Sequence, residues 1–520
     1  MNGLADVTGG VVHVFCDLVF FTDELADKAD EAVFFMDEVV DKANDLAHDV
    51  DRLVFFGDES VNFVRKSIST VQQLRNFQPE FFRHLHHARD VLWWLPHQCA
   101  GFLEEFSSFL EVHSCKLAVK MKTHFVRNIS SATAAWLVAC VAGNSFAAEP
   151  TCPVVGTGQT LCYDNARVIA APLPSQAFYG QDAQHPGHTP AYRDNGDGTV
   201  SDLVTGLMWV KARGEKMSWD AMAGAKSCRV GGHDDWRVPT IKELYSLIQF
   251  TGECSGPMAG SKPFLDTNYF GFVYGDPARG ERVIDCQDWS ATEYVGTTMN
   301  GNSTVFGVNF ADGRIKGYPK FNPRTRSPHK LFIRYVRGNP AYGKNNFHDN
   351  GDGTITDRAT GLMWSKADSD GGMNWQQALA WVQQLNATNY LGYNDWRLPN
   401  AKELQSVVDY SRIPAISPIF QISRLPNDEY PFFWTSTTHL DGPPGRAGSA
   451  AVYVCFGRAL GWMQFPPGRG EFQLMDVHGA GAQRSDPKVG NPAAFPHGRG
   501  PQGDVIRIYN YVRCVRDCAK

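Results

Sequence analysis

The sequence predicts an α+β fold written twice in tandem, each copy holding two helices followed by an antiparallel sheet. Three observations predict it. The first is a set of blocks that recurs in the same order. One set reads Asp194-Asn-Gly-Asp-Gly-Thr, Thr205-Gly-Leu-Met-Trp209, Asp235-Trp-Arg237 and Lys242-Glu-Leu. The other reads Asp349-Asn-Gly-Asp-Gly-Thr, Thr360-Gly-Leu-Met-Trp364, Asp395-Trp-Arg397 and Lys402-Glu-Leu. The period is that of a domain, far too long for a solenoid. The second observation is that each copy places its helix signals first and its short, alternating β-like runs last. The third is an even set of cysteines downstream of residue 148 with neither zinc-knuckle nor CxxC spacing, which reads as a disulfide framework.

Residues 1–120 form acidic, helix-period segments with Phe20, Phe34 and Phe55 at recurring positions, a helical extension if translated. Residues 121–147 read as a signal peptide. Met121 to Arg127 is a basic start, Ile129 to Gly143 is apolar or small, and Ser145 and Ala147 fit cleavage after Ala147. The alternatives are a buried helix and a lipobox at Leu137-Val-Ala-Cys140, which would tether the chain to a membrane through Cys140. A signal so far from residue 1 points to translation starting at Met121, the alternative being a real helical domain followed by an internal membrane anchor. An N-terminus mapped by mass spectrometry upstream of Met121 overturns that reading.

Residues 148–190 lack periodicity and read as a Pro/Gly-rich lead-in pinned by Cys152 and Cys162. Copy one is then 191–338 and copy two 339–520. In each, Asn-Gly-Asp-Gly is a tight turn between strands, and Thr-Gly-Leu-Met-Trp is a strand entering the core. Ser218 and Asn374 cap first helices over 219–228 and 375–385. Thr240 and Asn400 cap second helices over 240–250 and 400–410, with Glu243 and Glu403 completing capping boxes. Trp209, Trp236, Trp364 and Trp396 are expected core anchors, and Arg237 and Arg397 are expected to pair with the aspartate of their own Asp-Trp-Arg loop. Two further disulfide candidates are Cys254–Cys286, in an insertion of copy one, and Cys455–Cys514. Asn309 and Tyr335 replace that last pair in copy one.

A net charge of -6 gives no global pull towards nucleic acid or anionic membrane. No GxSxG, HExxH, phosphate-loop or dinucleotide fingerprint appears in usable context. Asp194, Asp197, Asp202 and their counterparts Asp349, Asp352 and Asp357 crowd oxygens as calcium loops do. They lack EF-hand spacing and a terminal glutamate, so hairpin turns with aspartate capping are the plainer reading. The copies differ most before their final strands. There copy two has a glycine-rich stretch, Asp476 to Asp504, offering His478, Gln483, Arg484, Asp486, Lys488 and Arg499 as hydrogen-bonding groups for sugar hydroxyls or sulfates. Copy one has a basic run of Arg314, Lys316, Lys320, Arg324, Arg326, His329 and Lys330, suited to anionic glycans unless it is a solvated loop.

With these blocks laid out, residues 150–518 resemble the Lcl C-terminal domain family, named for the Legionella collagen-like adhesin. The resemblance rests on NGDGT, TGLMW, DWR-L/V-P, KEL and the terminal Val-Arg-Cys-Val-Arg strand. It implies a secreted or surface bacterial protein, and in the adhesin this domain contributes to binding polyanionic glycans. The expectation is a non-catalytic module that binds glycans or surface proteins, with no cofactor unless calcium; the alternatives are an extracytoplasmic enzyme without a recognisable motif and a structural envelope module. The helix–RLP–helix portion is also similar to C-type-lectin-like and formylglycine-generating-enzyme-like domains. For the latter's oxidase chemistry a cysteine pair is needed near the final strand, but the position before Cys514 that should supply it is Tyr509.

Overall fold

The computed structural model describes residues 150–518, except 256–259, 323–324, 442–446 and 465–467. Compact units divide the chain at Met1–Asn144 and Ser145–Lys520. The expected helical extension, the signal segment and Cys140 lie outside the described residues.

The lead-in contributes β1 (Cys162–Tyr163) and β2 (Val168–Ile169), which pair with each other. Copy one runs β3 (Tyr192–Asp194), β4 (Thr199–Asp202), β5 (Leu207–Val210), β6 (Met217–Ser218) and α1 (Ile241–Ser246). It continues through β7 (Asp288–Glu293), β8 (Thr304–Asn309), β9 (Arg314–Pro319), β10 (Lys330–Leu331) and β11 (Val336–Gly338). Copy two runs β12 (Phe347–Asp349), β13 (Thr354–Asp357), β14 (Leu362–Ser365), α2 (Trp375–Ala387) and α3 (Ala401–Ser406). It continues through β15 (Phe432–His439), β16 (Ala450–Cys455), β17 (Leu460–Gln464), β18 (Phe472–Asp476), β19 (Gln483–Pro487) and β20 (Val515–Asp517).

Each copy closes a four-stranded antiparallel sheet by bringing its last strand back beside its first ones, in the orders β11-β5-β4-β3 and β12-β13-β14-β20. The two copies are not separate globules. A single six-stranded sheet, ordered β15-β16-β19-β9-β8-β7, takes three strands from each. Its middle pairing sets Gln483 opposite Ile315. Val308 faces Ile315 and Val454 faces Gln483, so these two residues are equivalents and the pairing lies on a pseudo-twofold axis. One core spans both copies, holding Trp209, Leu244 and Phe306 together with Trp364, Leu404 and Phe433.

A reciprocal bond locks the copies. Lys242 Nζ donates to the Ser406 carbonyl at 2.7 Å, and Lys402 Nζ donates to the Ser246 carbonyl at 2.8 Å. Each lysine therefore satisfies a carbonyl at the C-terminal end of the other copy's short helix, where cations are favoured. Burial pulls the amines down, Lys242 to about 8 and Lys402 to about 7. A cavity of about 20 Å³ between the two lysines has room for about one water.

The second helices end at Ser246 and Ser406, a turn short of the expected span, and both expected capping boxes form. The first helices diverge. In copy two, Asn374 and Gln377 close a capping box on a thirteen-residue α-helix. In copy one, Trp219–Ser227 is a 3-10 helix to which the Ser218 side chain gives no cap. Its Ala-Met-Ala-Gly-Ala stretch, with Gly224 inside, is the poorer helix former, and it spans nine residues against thirteen.

The expected disulfides do not form. Cys152, Cys162, Cys286, Cys455 and Cys514 are all thiols, so none of the three pairs is joined. Cys152 sits at the copy junction, its amide on the Ala359 carbonyl, whereas Cys162 lies in β1. Cys254 turns towards copy two, its amide on the Leu440 carbonyl, away from Cys286. Between Cys455 and the closing segment runs β15, which pairs with β16 on one side and bridges Tyr511 on the other. Two strand spacings of roughly 10 Å exceed disulfide reach.

Candidate binding surface

The aspartates of the repeated turns spend their oxygens locally. Asp194 Oδ1 accepts the Gly196 amide at 3.0 Å, and Asp197 Oδ1 accepts the Thr199 amide and hydroxyl at 3.0 and 2.6 Å. Asp349 and Asp352 do the same for Gly351 and Thr354. Asp202 accepts the Val204 and Thr205 amides, and Asp357 those of Asn346 and Ala359. Among the described residues no group of three or more His, Cys, Asp or Glu is placed to hold a metal.

Trp209 and Trp364 are fully buried, and Trp236 and Trp396 nearly so, each of the latter donating its indole N–H to a carbonyl six residues back. The arginines beside them differ from expectation. Arg237 pairs with Glu243 and Arg397 with Glu403, while Asp235 and Asp395 take Arg337 and Arg516 from the closing strands, each at 2.6 Å. The motif thus bolts the helix to the last strand instead of fixing its own loop.

The glycine-rich stretch of copy two is no exposed loop. Gln483, Asp486 and Lys488 are fully buried, and His478 and Arg484 nearly so. Gln483, Arg484 and Asp486 lie in β19, at the middle of the shared sheet. Asp486 Oδ2 accepts the Arg507 and Ile508 amides and the Asn510 side chain. Burial raises its carboxyl to about 6. Lys488 Nζ stands 3.9 Å above the Trp375 ring. Only Arg499 of the six is exposed. The basic run of copy one also dissolves. Arg314 and Lys316 pair with buried Asp312, and Lys320 bonds Glu293 at 2.8 Å. His329 packs among Trp289 and Tyr318. Arg326 and Lys330 are the exposed remainder among its described members.

What these buried polar groups do is hold an outgrowth. Between β8 and β9 copy one makes a tight turn at Phe310–Gly313, whereas between the equivalent β16 and β19 copy two inserts the β17–β18 hairpin. Residues 491–506 fold against that hairpin. The Trp462 amide donates to the Gly503 carbonyl at 2.8 Å and the Val505 amide to the Leu460 carbonyl at 3.0 Å. The approach is so close that a Cβ on Gly503 would meet the Trp462 carbonyl oxygen at 2.1 Å. Asp504 anchors the assembly through His478 Nε2 at 2.8 Å and through the Arg484 guanidinium. Burial, then Arg484, holds His478 down at about 4, so it is neutral at pH 7.

The hairpin's outer face clusters exposed apolar side chains. Trp462 faces Leu474 and Gln464 faces Phe472 across the pair, so all four side chains share one face. Phe472 is 39% and Leu474 41% exposed. The His497 ring stacks on Phe472 with centroids 3.7 Å apart and meets Trp462 edge-on at 6.2 Å. Gln464 lies on the same face, and exposed Glu471 precedes Phe472. An apolar, aromatic ledge beside hydrogen-bonding groups suits the C–H face and hydroxyl edge of a sugar. Sequence reasoning missed these residues. Their signal was two alternating runs, Leu460 to Gln464 and Phe472 to Asp476, separated by a Pro/Gly-rich link.

The Lcl C-terminal domain family model matches residues 198–337 and 353–467. The chain carries two Lcl C-terminal domains, one in each copy. In copy one the Lcl C-terminal match runs through the closing strand, whereas in copy two it stops inside the outgrowth, before β18. No curated protein and no solved structure matches the chain. Among the described residues no helix is long and apolar enough to cross a membrane.

Proposed function

We propose that this is an exported, adhesin-like protein that binds surface glycans through the copy-two outgrowth, without catalysis. The observation that carries the reading is the exposed Phe472–Leu474 ledge, backed by Trp462 and His497 and mounted on a rigidly anchored insertion that copy one lacks. An exposed, rimmed apolar patch on an otherwise well-packed body marks an interaction site. The closing strands beside β5 and β14, with two helices per copy, support a C-type-lectin-like character for each copy. The two Lcl C-terminal domains support the adhesin-like role.

A glycan-array screen of the full chain, with and without calcium, tests this. Binding that disappears in a Phe472→Ala/Leu474→Ser variant of unchanged thermal stability is the expected result. Binding equally strong in the variant, or a blank array from demonstrably folded protein, sinks the reading. Calcium dependence would return the Asp197 and Asp352 turns to consideration as ligands.

A further inference from the structure

The pseudo-twofold exposes a missing part. In copy two the lead-in covers the face formed by the start of α2, the end of β15 and the residue after β19. The Phe178 ring lies 6.3 Å from Trp375, and Lys488 Nζ donates to the Asp164 carbonyl at 2.9 Å and to Thr438 Oγ1 at 2.8 Å. Thr437 Oγ1 bonds the Asp182 carboxyl, and Asn165 reaches Gln376 on α2 at 3.2 Å. Under this cover Trp375, Thr437, Thr438 and Lys488 are fully buried.

Copy one builds the same face with the same geometry. Trp219 Nε1 donates to the Ser290 carbonyl as Trp375 Nε1 does to Thr435. Lys320 Nζ stands 3.8 Å above Trp219, as Lys488 stands 3.9 Å above Trp375. The Ile241 amide donates to Thr292 Oγ1 as the Ala401 amide does to Thr437 Oγ1. Yet nothing in the chain between the copies corresponds to the cover. Residues 339–346 join β11 directly to β12, where the segment ahead of β3 is a long folded lead-in. Trp219, Thr292 and Lys320 stay half-exposed, and Ala291 and Glu293 are exposed. Lys226 and Arg229, beyond Trp219 on the same segment, are exposed, as is Lys330, which pairs with Ser218.

We propose that this face of copy one is a docking site for an extended peptide segment of a partner protein that carries an aromatic residue and, four residues later, a carboxylate. The lead-in shows the chemistry that fits: an aromatic residue for Trp219, a carboxylate four residues later for the Thr292 hydroxyl, and a backbone carbonyl for Lys320. Lys226, Arg229 and Lys330 are offset by exposed Asp220 and by Glu293, which pairs with Lys320 at 2.8 Å, so selection rests on the aromatic and the single carboxylate and not on net charge. The site is distinct from the outgrowth and stands or falls separately from glycan binding there.

The test uses a synthetic peptide of residues 160–186 as the probe, titrated into the full chain and followed by protection of tryptophan from acrylamide quenching. Saturable one-to-one binding is expected, weakened at least roughly tenfold by Lys320→Ala and retained by Lys320→Arg, with thermal stability unchanged in both. No binding at millimolar peptide overturns the proposal. Binding indifferent to Lys320→Ala also overturns it, since the peptide would then be displacing the resident lead-in on copy two. If a sulfated oligosaccharide binds in a Lys320-dependent way while the peptide does not, the face is a glycan site and the peptide proposal fails.

Discussion

Copy one and copy two solve the same folding problem with the same bonds and differ in what is laid over them. Arg334 and Arg513 are both fully buried and each donates to three carbonyls, at Val210, Lys211 and Gly271 in one copy and at Ser365, Lys366 and Gln421 in the other. Trp289 and Trp434 donate to Met217 and Met373 carbonyls in the same way. Copy two alone carries the lead-in on one face and the outgrowth at one end. The comparison teaches that the repeated blocks are framework, and that function is to be sought where the copies disagree.

The largest effects are expected where the copies agree. Trp209→Ala and Trp364→Ala each empty an equivalent, fully buried site and should each cost about 3–5 kcal/mol, read as urea-unfolding midpoints. A variant tolerated in only one copy would break the equivalence. Where the copies differ, the cost should differ. Trp375→Ala, beneath the lead-in, is expected to cost about 3–5 kcal/mol, and Trp219→Ala, half-exposed, less than half of that. Equal losses would mean that the copy-one face is covered after all.

The junction lysines come next. Lys402→Met leaves the buried Ser246 carbonyl without its donor, for about 1–3 kcal/mol, whereas Lys242→Met should cost less, because Asn345 Nδ2 still donates to the Ser406 carbonyl at 3.0 Å. Lys402, the more deeply buried of the two, should be the more sensitive. The smallest expected effect is one of pH and belongs to copy two alone. His478 is held down at about 4 by burial and Arg484, against the pull of Asp504, while an unfolded histidine titrates near 6.5. As pH falls through that window the unfolded state gains a proton that the folded state refuses. The wild type should therefore lose stability relative to His478→Gln, by about 1 kcal/mol at pH 5.5. Parallel stability–pH curves for the two proteins would contradict this.

Local signals were legible in the sequence and non-local pairing was not. The Thr240/Glu243 and Asn400/Glu403 capping boxes, the tight Asn-Gly-Asp-Gly turns and the buried tryptophans follow from spacing alone. The shared sheet does not, because Gln483-Arg-Ser-Asp-Pro487 has no apolar alternation to mark it as a central strand. Its burial makes sense only once Asp504 and the 507–510 segment are seen to satisfy it from distant parts of the chain. Its polar residues look like a ligand site in the sequence yet lie in the core, while the exposed Phe472 and Leu474 nearby carry no polar signal. The cysteines misled for a related reason. Cys455 and Cys514 belong to one hydrophobic cluster, but a strand that sequence spacing cannot reveal keeps them apart.

The two copies are halves of one body, joined by the β9–β19 pairing, a common core and the reciprocal lysines. The most direct measurement is calorimetric and urea unfolding of residues 145–520, with tryptophan fluorescence and far-ultraviolet dichroism as probes. One transition, coincident by every probe and shifted as a whole by Trp209→Phe in copy one, is the result expected. Two transitions, only one of them moved by that substitution, would contradict this by showing independent domains.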